Sequence, residues 1–241
     1  MDGLTPNENK RSTLDLVVKI SVLVVALGAL AFVIWTAIRN RAKVRFTYGP
    51  TNNGTDTPPK VLVFGSTGIS EDKEKGQTLI IPETLGADTY MYWNMGYTGR
   101  RWRFQFEWFS SHTSSAVPGD FIYVRVGAKE PINDIYTEQG SGIAVVMRDG
   151  PTTGLDRSVT LGTGGSDLTK TLNNFTFALN TWNKTVVELQ GNSLTVTLNG
   201  VSAAPYVYNF DQSGSFIIIR ASNDGGANAR WIRNVKFISL G

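Results

Sequence analysis

Between Lys19 and Arg39 the chain reads ISVLVVALGALAFVIWTAI, 19 uncharged residues from Ile20 to Ile38. As a helix that run extends about 28 Å, close to the roughly 30 Å hydrocarbon core of a bilayer. The pattern predicts a single transmembrane helix. Lys19 and Arg39 bracket the run and can snorkel to the headgroups, and Trp35 lies near one end, where an amphipathic ring suits the interface. A cleaved signal peptide is the rival reading. Against it, a mostly polar stretch precedes the run, the apolar core exceeds the usual length of about 7 to 15 residues, and no A-x-A-like site follows. An uncleaved anchor is expected.

The flanks bear on orientation. Arg39, Arg41, Lys43 and Arg45 follow the helix without a nearby acid, whereas Lys10, Arg11 and Lys19 precede it among Glu8 and Asp15. The positive-inside rule then predicts a cytosolic carboxyl-terminal domain. Three sequons, at Asn53, Asn174 and Asn183, would matter in a lumenal domain, but about three are expected by chance in a chain this rich in Asn, Ser and Thr. The small residues of the run, Ser21, Ala26, Gly28, Ala29 and Ala31, include no pair four apart, so a small-xxx-small dimer face is absent. The basic cluster after the run serves either as a topology signal or as a holder of anionic headgroups.

Composition removes most other functions. The chain has no Cys and one His, His112. Zinc knuckles, disulfide frameworks and thiol nucleophiles are excluded, and a Ser-His-Asp arrangement would depend on that single imidazole. His112 sits in SSHTSS, which reads as a polar loop. The formal net charge of +3 belongs to the first 45 residues, leaving the remainder slightly acidic, so no nucleic-acid partner is expected. No cofactor is expected either.

Residues 48–59, YGPTNNGTDTPP, read as a polar linker, after which short β-rich runs alternate with turn signals. The predicted organisation is a polar tail over 1–19, the helix over 20–38, a basic juxtamembrane segment and linker over 39–59, and a domain over 60–241. The clearest strand is Arg101 to Trp108, RWRFQFEW, with four aromatic side chains on one face. Other predicted strands are 61–64, 78–81, 121–126, 143–147, 185–189, 194–198, 216–220 and 231–238. Asn199-Gly200 marks a tight hairpin turn. About a dozen short strands predict an all-β fold, a two-sheet antiparallel jelly-roll sandwich preceded by the single helix.

Three stretches in this order resemble the concanavalin-A-like, or L-type lectin, superfamily. The aromatic strand precedes Gly140-Ser141-Gly142-Ile143-Ala144-Val145-Val146-Met147, which is similar to the family's A-D-G-I-A-F-V-L loop and strand. Trp182 to Gly200, WNKTVVELQGNSLTVTLNG, resembles its paired strands closing on an Asn-Gly turn, and Trp231 to Phe237 resembles its last core strand. The resemblance covers about residues 60 to 241 and implies a β-sandwich. It also implies a sugar-binding aspartate in the A-D-G loop, where this chain has Ser141. A metal loop is implied near Val124 to Tyr136, where Glu130, Asn133 and Asp134 are the available donors and the family's Asp-x-aromatic-Asn spacing is missing. No metal site is expected.

Glycoside hydrolases on this fold use closely spaced carboxylates on one strand. Glu107 has no second carboxylate two or four residues on, and it reads instead as a surface partner of Arg103 or Arg101. The loop Ser222 to Arg230 reads as a long turn, although its Asn223 and Asp224 suit a cation or a sugar. Tyr90, Tyr92, Trp93 and Tyr97 suit sugar stacking or strand packing. A non-enzymatic, membrane-anchored interaction module is therefore expected. Because sandwich domains of this superfamily build double-stranded DNA viruses with an internal membrane, the resemblance implies a minor capsid protein that tethers that membrane to the shell. Its partners would be the bilayer and other capsid proteins. The alternative is a membrane-displayed carbohydrate-binding lectin or cargo receptor, with Tyr92, Trp93, Ser141, Asn223 and Asp224 as the sugar contacts; glycans are the less favoured partner.

Overall fold

The structure is a computed structural model that describes residues 6–39, 41–49, 60–64, 70–72, 78–81, 88–111, 121–129, 142–148, 158–162, 168–172, 175, 177–178, 180–207, 214–222 and 230–241. It divides into two units, the amino-terminal helix and an all-β unit from Lys43 to Leu240.

Helix α1 runs from Pro6 to Arg39, so helical structure begins within the segment expected as a polar tail. Its 23-residue stretch Asp15–Ala37 is long and apolar enough to cross a membrane, a criterion that a signal sequence also meets. The side chains there turn outward all round the helix, with Leu23 59% and Phe32 64% exposed. A helix apolar on every side has no one face to bury against a sheet and suits a lipid solvent. Within Asp15–Ala37 Ser21 donates to the Val17 carbonyl at 2.8 Å and Thr36 to the Val33 carbonyl at 2.9 Å, an arrangement that would suit lipid. At the amino-terminal edge Lys19 pairs with Asp15 at 2.7 Å, one turn apart.

The strands of the second unit are β1 (Lys43–Tyr48), β2 (Lys60–Phe64), β3 (Ser70–Asp72), β4 (Thr78–Ile81), β5 (Asp88–Asn94), β6 (Arg101–Ser110), β7 (Phe121–Ala128), β8 (Ile143–Arg148), β9 (Ser158–Gly162), β10 (Leu168–Leu172), β11 (Trp182–Gln190), β12 (Ser193–Leu198), β13 (Val201–Ser202), β14 (Tyr206–Val207), β15 (Phe216–Ser222) and β16 (Arg230–Ser239). Sheet A has the order β13-β12-β11-β6-β16-β4-β3, with β1 also on β16 and β14 on β12; sheet B has the order β10-β9-β8-β7-β15-β5-β2. The fold is thus the predicted two-sheet antiparallel sandwich.

Strict alternation in β6 drives the packing. Trp102, Phe104, Phe106 and Trp108 are buried while Arg101 to Glu107 on the opposite positions reach solvent. They share one core with Val187 and Leu189 of β11, Phe237 of β16, and Met91, Val124, Val145 and Ile219 of sheet B. Each such side chain contributes roughly 2–3 kcal/mol of transfer free energy. The Asn199-Gly200 turn forms as expected, with φ of +50° and +85°. Asn199 also ties β12 to β11, its Oδ1 accepting from the Lys184 amide at 2.8 Å.

One boundary differs from the sequence reading. Lys43 to Tyr48, expected within a juxtamembrane linker, is strand β1, paired antiparallel with β16. Phe46 is 4% exposed and stacks on Trp93 at 5.4 Å and on Phe237 at 6.0 Å. Basic residues at its start masked its inward half: Lys43 and Arg45 are exposed, whereas Phe46 and Tyr48 belong to the core.

Candidate functional site

The residues singled out from sequence fall into three places. Trp93 is 3% exposed and lies in the core between Phe46 and Tyr48, with ring centroids 5.4 and 6.3 Å away. Its burial removes it from the sugar contacts. Tyr92, one residue back on β5, points to the opposite face and meets Phe216 edge-on at 6.2 Å. Ser141, Asn223, Asp224, Glu130, Asn133, Asp134 and His112 lie outside the described residues.

The strands still show where two of those segments leave the sandwich. Ile143, which opens β8, pairs with Val126, near the end where Ala128 meets Phe216. Ser222, which closes β15, pairs with Phe121 and Asp88 at the other end. The six-residue step along β15 spans roughly 20 Å. Ile143 and Ser222, the strand ends nearest those two segments, therefore lie at opposite ends of sheet B.

The rim beside Ser141 is built by close backbone approach. Gly142 has φ of +76°, and a Cβ there would lie 2.5 Å from the Val126 carbonyl oxygen. A Cβ on Gly214 would collide with the backbone of Gly127 and Ala128. Glycine alone lets these three segments touch, which fixes the exits of the loops that follow β7 and precede β8 and β15. Across this rim the turn from β5 to β6 is held by the Met95 amide, which donates to the Ser215 carbonyl at 2.7 Å. Half-buried Tyr97 follows, its hydroxyl donating to the Arg101 carbonyl at 3.1 Å.

The sequence reading missed two arginines on the outward face of sheet B. Arg125 is fully buried and Arg220 is 6% exposed, among Tyr90, Tyr123, Val146 and Ile218. The Arg220 guanidinium carbon lies 5.4 Å from the Tyr90 ring centroid, and that of Arg125 lies 6.0 Å from Tyr123. Their signal was a lone cation at an alternating position in VRV and IIIRA. Both guanidinium groups thus lie among aromatic and aliphatic side chains of this face, each near a tyrosine ring.

Glu107 has a structural partner other than the one expected. Its Oε2 accepts from Arg233 Nε at 2.7 Å and from Asn234 Nδ2 at 3.0 Å, while Arg103 pairs with Glu188 at 2.6 Å. The pairing runs across the ladder to β16, where a bulge with Asn234 at φ +52° turns both side chains toward the carboxylate. Arg233 also covers Trp182, its guanidinium carbon 3.7 Å from the ring centroid. Among the described residues no group of three or more His, Asp or Glu could hold a metal ion. The loop in which the resemblance implies a cation, with Glu130, Asn133 and Asp134, lies outside the described residues.

No protein-family model matches the chain, and no curated protein matches it. Solved structures do. The carbohydrate recognition domain of Emp47p superposes with a TM-score of 0.60 at 11% identity, covering 83% of this chain and 98% of that one. The exoplasmic/lumenal domain of VIP36, in a Ca2+/Man3GlcNAc-bound form, gives 0.57 at 11% identity, covering 83% and 91%. Peanut lectin gives 0.57 at 14% identity, covering 83% and 98%. A carbohydrate esterase from a Shiga toxin-encoding bacteriophage gives 0.56 at 10% identity, covering 83% and all of that chain. At these identities the likeness establishes the fold, a lectin-like concanavalin-A-type sandwich, which was the resemblance read from sequence.

Proposed function

We propose that the chain is a non-enzymatic carbohydrate-binding domain tethered to a membrane by α1, a lectin or cargo-receptor-like protein. The observation that supports this most is the fold shared over 83% of the chain with a mannose-bound domain and a carbohydrate recognition domain. The rim formed by Gly127, Gly142 and Gly214, with Tyr97 beside it, is the site proposed for the sugar, and Ser141 is its hydroxyl donor. A serine in place of a carboxylate makes neutral hydrogen bonds, about half as strong as charge-assisted ones, so the affinity is expected to be modest. Ser222 closes β15 at the opposite end of sheet B, so the site is proposed without Asn223 and Asp224. The reading places the domain on the exoplasmic side, opposite to the side favoured by the four-to-three basic margin around the helix.

A structural tether between an internal viral membrane and its shell is the second reading. Its specific support is Ser141, which lacks the carboxylate of a sugar site. Topology separates the two. Protease protection on intact membranes, with an epitope at the carboxyl terminus and Asn53 and Asn174 as glycosylation reporters, is expected to show a protected, glycosylated domain. Digestion from the cytosolic side without glycan would overturn the lectin reading in favour of a tether.

A further inference from the structure

The rim proposed for the sugar has a cation built into its wall. Tyr97 follows Met95 by two residues, at most about 7 Å of chain, and the Met95 amide holds that turn to the Ser215 carbonyl, beside Gly214, at 2.7 Å. Over the Tyr97 ring stands Arg45 of β1, its guanidinium carbon 5.2 Å from the ring centroid. Its Nε donates to Ser239 Oγ at 2.9 Å, and that hydroxyl donates in turn to the Lys43 carbonyl at 3.2 Å. A ring and a hydroxyl thus fix the guanidinium at an exposed position, with both Nη groups outside the bond to Ser239. The anchor is neutral, and among the described residues no carboxylate pairs with Arg45. Arg101 and Lys43, both exposed, add charge of the same sign: the Arg101 carbonyl accepts the Tyr97 hydroxyl at 3.1 Å, and Lys43 opposes Ser239 across the ladder. Glu188, two positions from Arg101 in register, is engaged at both oxygens, by Arg103 at 2.6 Å and by Gln190 Nε2 at 2.6 Å.

We infer that this site takes an acidic saccharide, one whose carboxylate or sulfate is bound by Arg45. The inference deepens the reading of the rim as a sugar site and rests on it. An oxyanion meets the Nη edge of a guanidinium with two parallel hydrogen bonds, shorter and about twice as strong as neutral ones. A neutral sugar bound beside Arg45 would displace water from an uncompensated charge, a cost that an anionic sugar offsets. Ser141, the hydroxyl donor proposed for the same site, brings no negative charge to oppose the anion. The cation and the ring come from strands far apart in sequence, so neither marks an acidic ligand until the sheet sets Arg45 over Tyr97.

Calorimetric titration of the full chain in detergent tests this with oligosaccharides of one length: a hexuronic acid, its methyl ester, and a hexose sulfated at O6. The acid or the sulfated sugar is expected to bind at least ~10-fold more tightly than the ester, as the gain of a charge-assisted hydrogen bond implies, and about 0.5 M salt should narrow the gap. Whichever of the two binds supports the site and assigns its anion. In Arg45→Gln the gap should close, whereas Arg45→Lys should keep part of it, because the charge remains and the fork does not. The comparison of acid with ester on the unaltered chain decides the matter if either variant fails to fold. Equal affinity for all the probes, a tighter ester, or binding of neutral glycans alone would overturn the acidic specificity and leave the lectin reading standing. A gap that survives Arg45→Gln would overturn the assignment to Arg45. A chain that binds no glycan at all would instead overturn the rim as a sugar site, a separate and separately visible failure.

Discussion

Asn183 shows how one side chain can be misread when only its neighbours in sequence are seen. It heads one of the three sequons, yet the residue is fully buried. Its Nδ2 donates to the Ala178 carbonyl at 2.8 Å and the Thr181 carbonyl at 3.2 Å, and its Oδ1 accepts from Asn199 Nδ2 at 2.8 Å. Asn183→Ala should therefore cost about 1–3 kcal/mol, read from the denaturant midpoint, because Asn199 and two carbonyls lose their partner. Mass spectrometry of the folded protein should find no glycan there. Thr185 plays a similar part between the layers. Trp108 Nε1 donates to Thr185 Oγ1 at 2.9 Å, and that hydroxyl donates to Met147 Sδ at 3.3 Å, which links β6, β11 and β8 through the core. Thr185→Val keeps the shape but leaves a buried indole N–H without an acceptor, so a loss of about 1–3 kcal/mol is expected. Such partners are not visible in sequence, because they lie on strands far apart along the chain.

At the scale of the element, β6 was legible because its alternation is uninterrupted, and β12 because it closes on Asn199-Gly200, which demands a tight turn. β1 was not. A strand whose first half is basic and exposed carries only Phe46 and Tyr48 as apolar signal, and the basic residues drew the reading toward the membrane. Phe46→Ala should destabilise the domain by about 3–5 kcal/mol, and a chain trimmed to begin at Lys60 should lose its cooperative thermal transition. A trimmed chain that melts as the full one does would return β1 to the linker. Gly142→Ala tests the rim in the same way. At φ +76° with the Val126 carbonyl in the way, it should cost about 1–3 kcal/mol and loosen the loops on either side, seen as faster amide exchange at 126–129 and 143–145. The candidate site was half legible: the Gly-Ser-Gly approach was marked in the sequence, whereas Trp93 was drawn into the core by Phe46. That Ile143 and Ser222 lie at opposite ends of sheet B needed the strand register.

For the whole molecule, sequence carried the broad architecture because an apolar run of bilayer length and a field of short strands each have few physical solutions. It did not carry the occupant of the sandwich. Charge asymmetry around α1 favoured a cytosolic domain and hence a capsid tether, whereas the lectin proposed above would lie on the opposite side. Both use the same anchor and the same core, so neither stability nor fold separates them. Glycan binding does. The full chain, purified in detergent and applied to an array of neutral and acidic glycans with and without calcium, is expected to give saturable binding that free sugar competes away. It should be weakened at least ~10-fold by Tyr97→Ala, measured well below the melting temperature of the variant so that the chain compared is folded. A folded chain that retains no glycan on such an array would contradict the account.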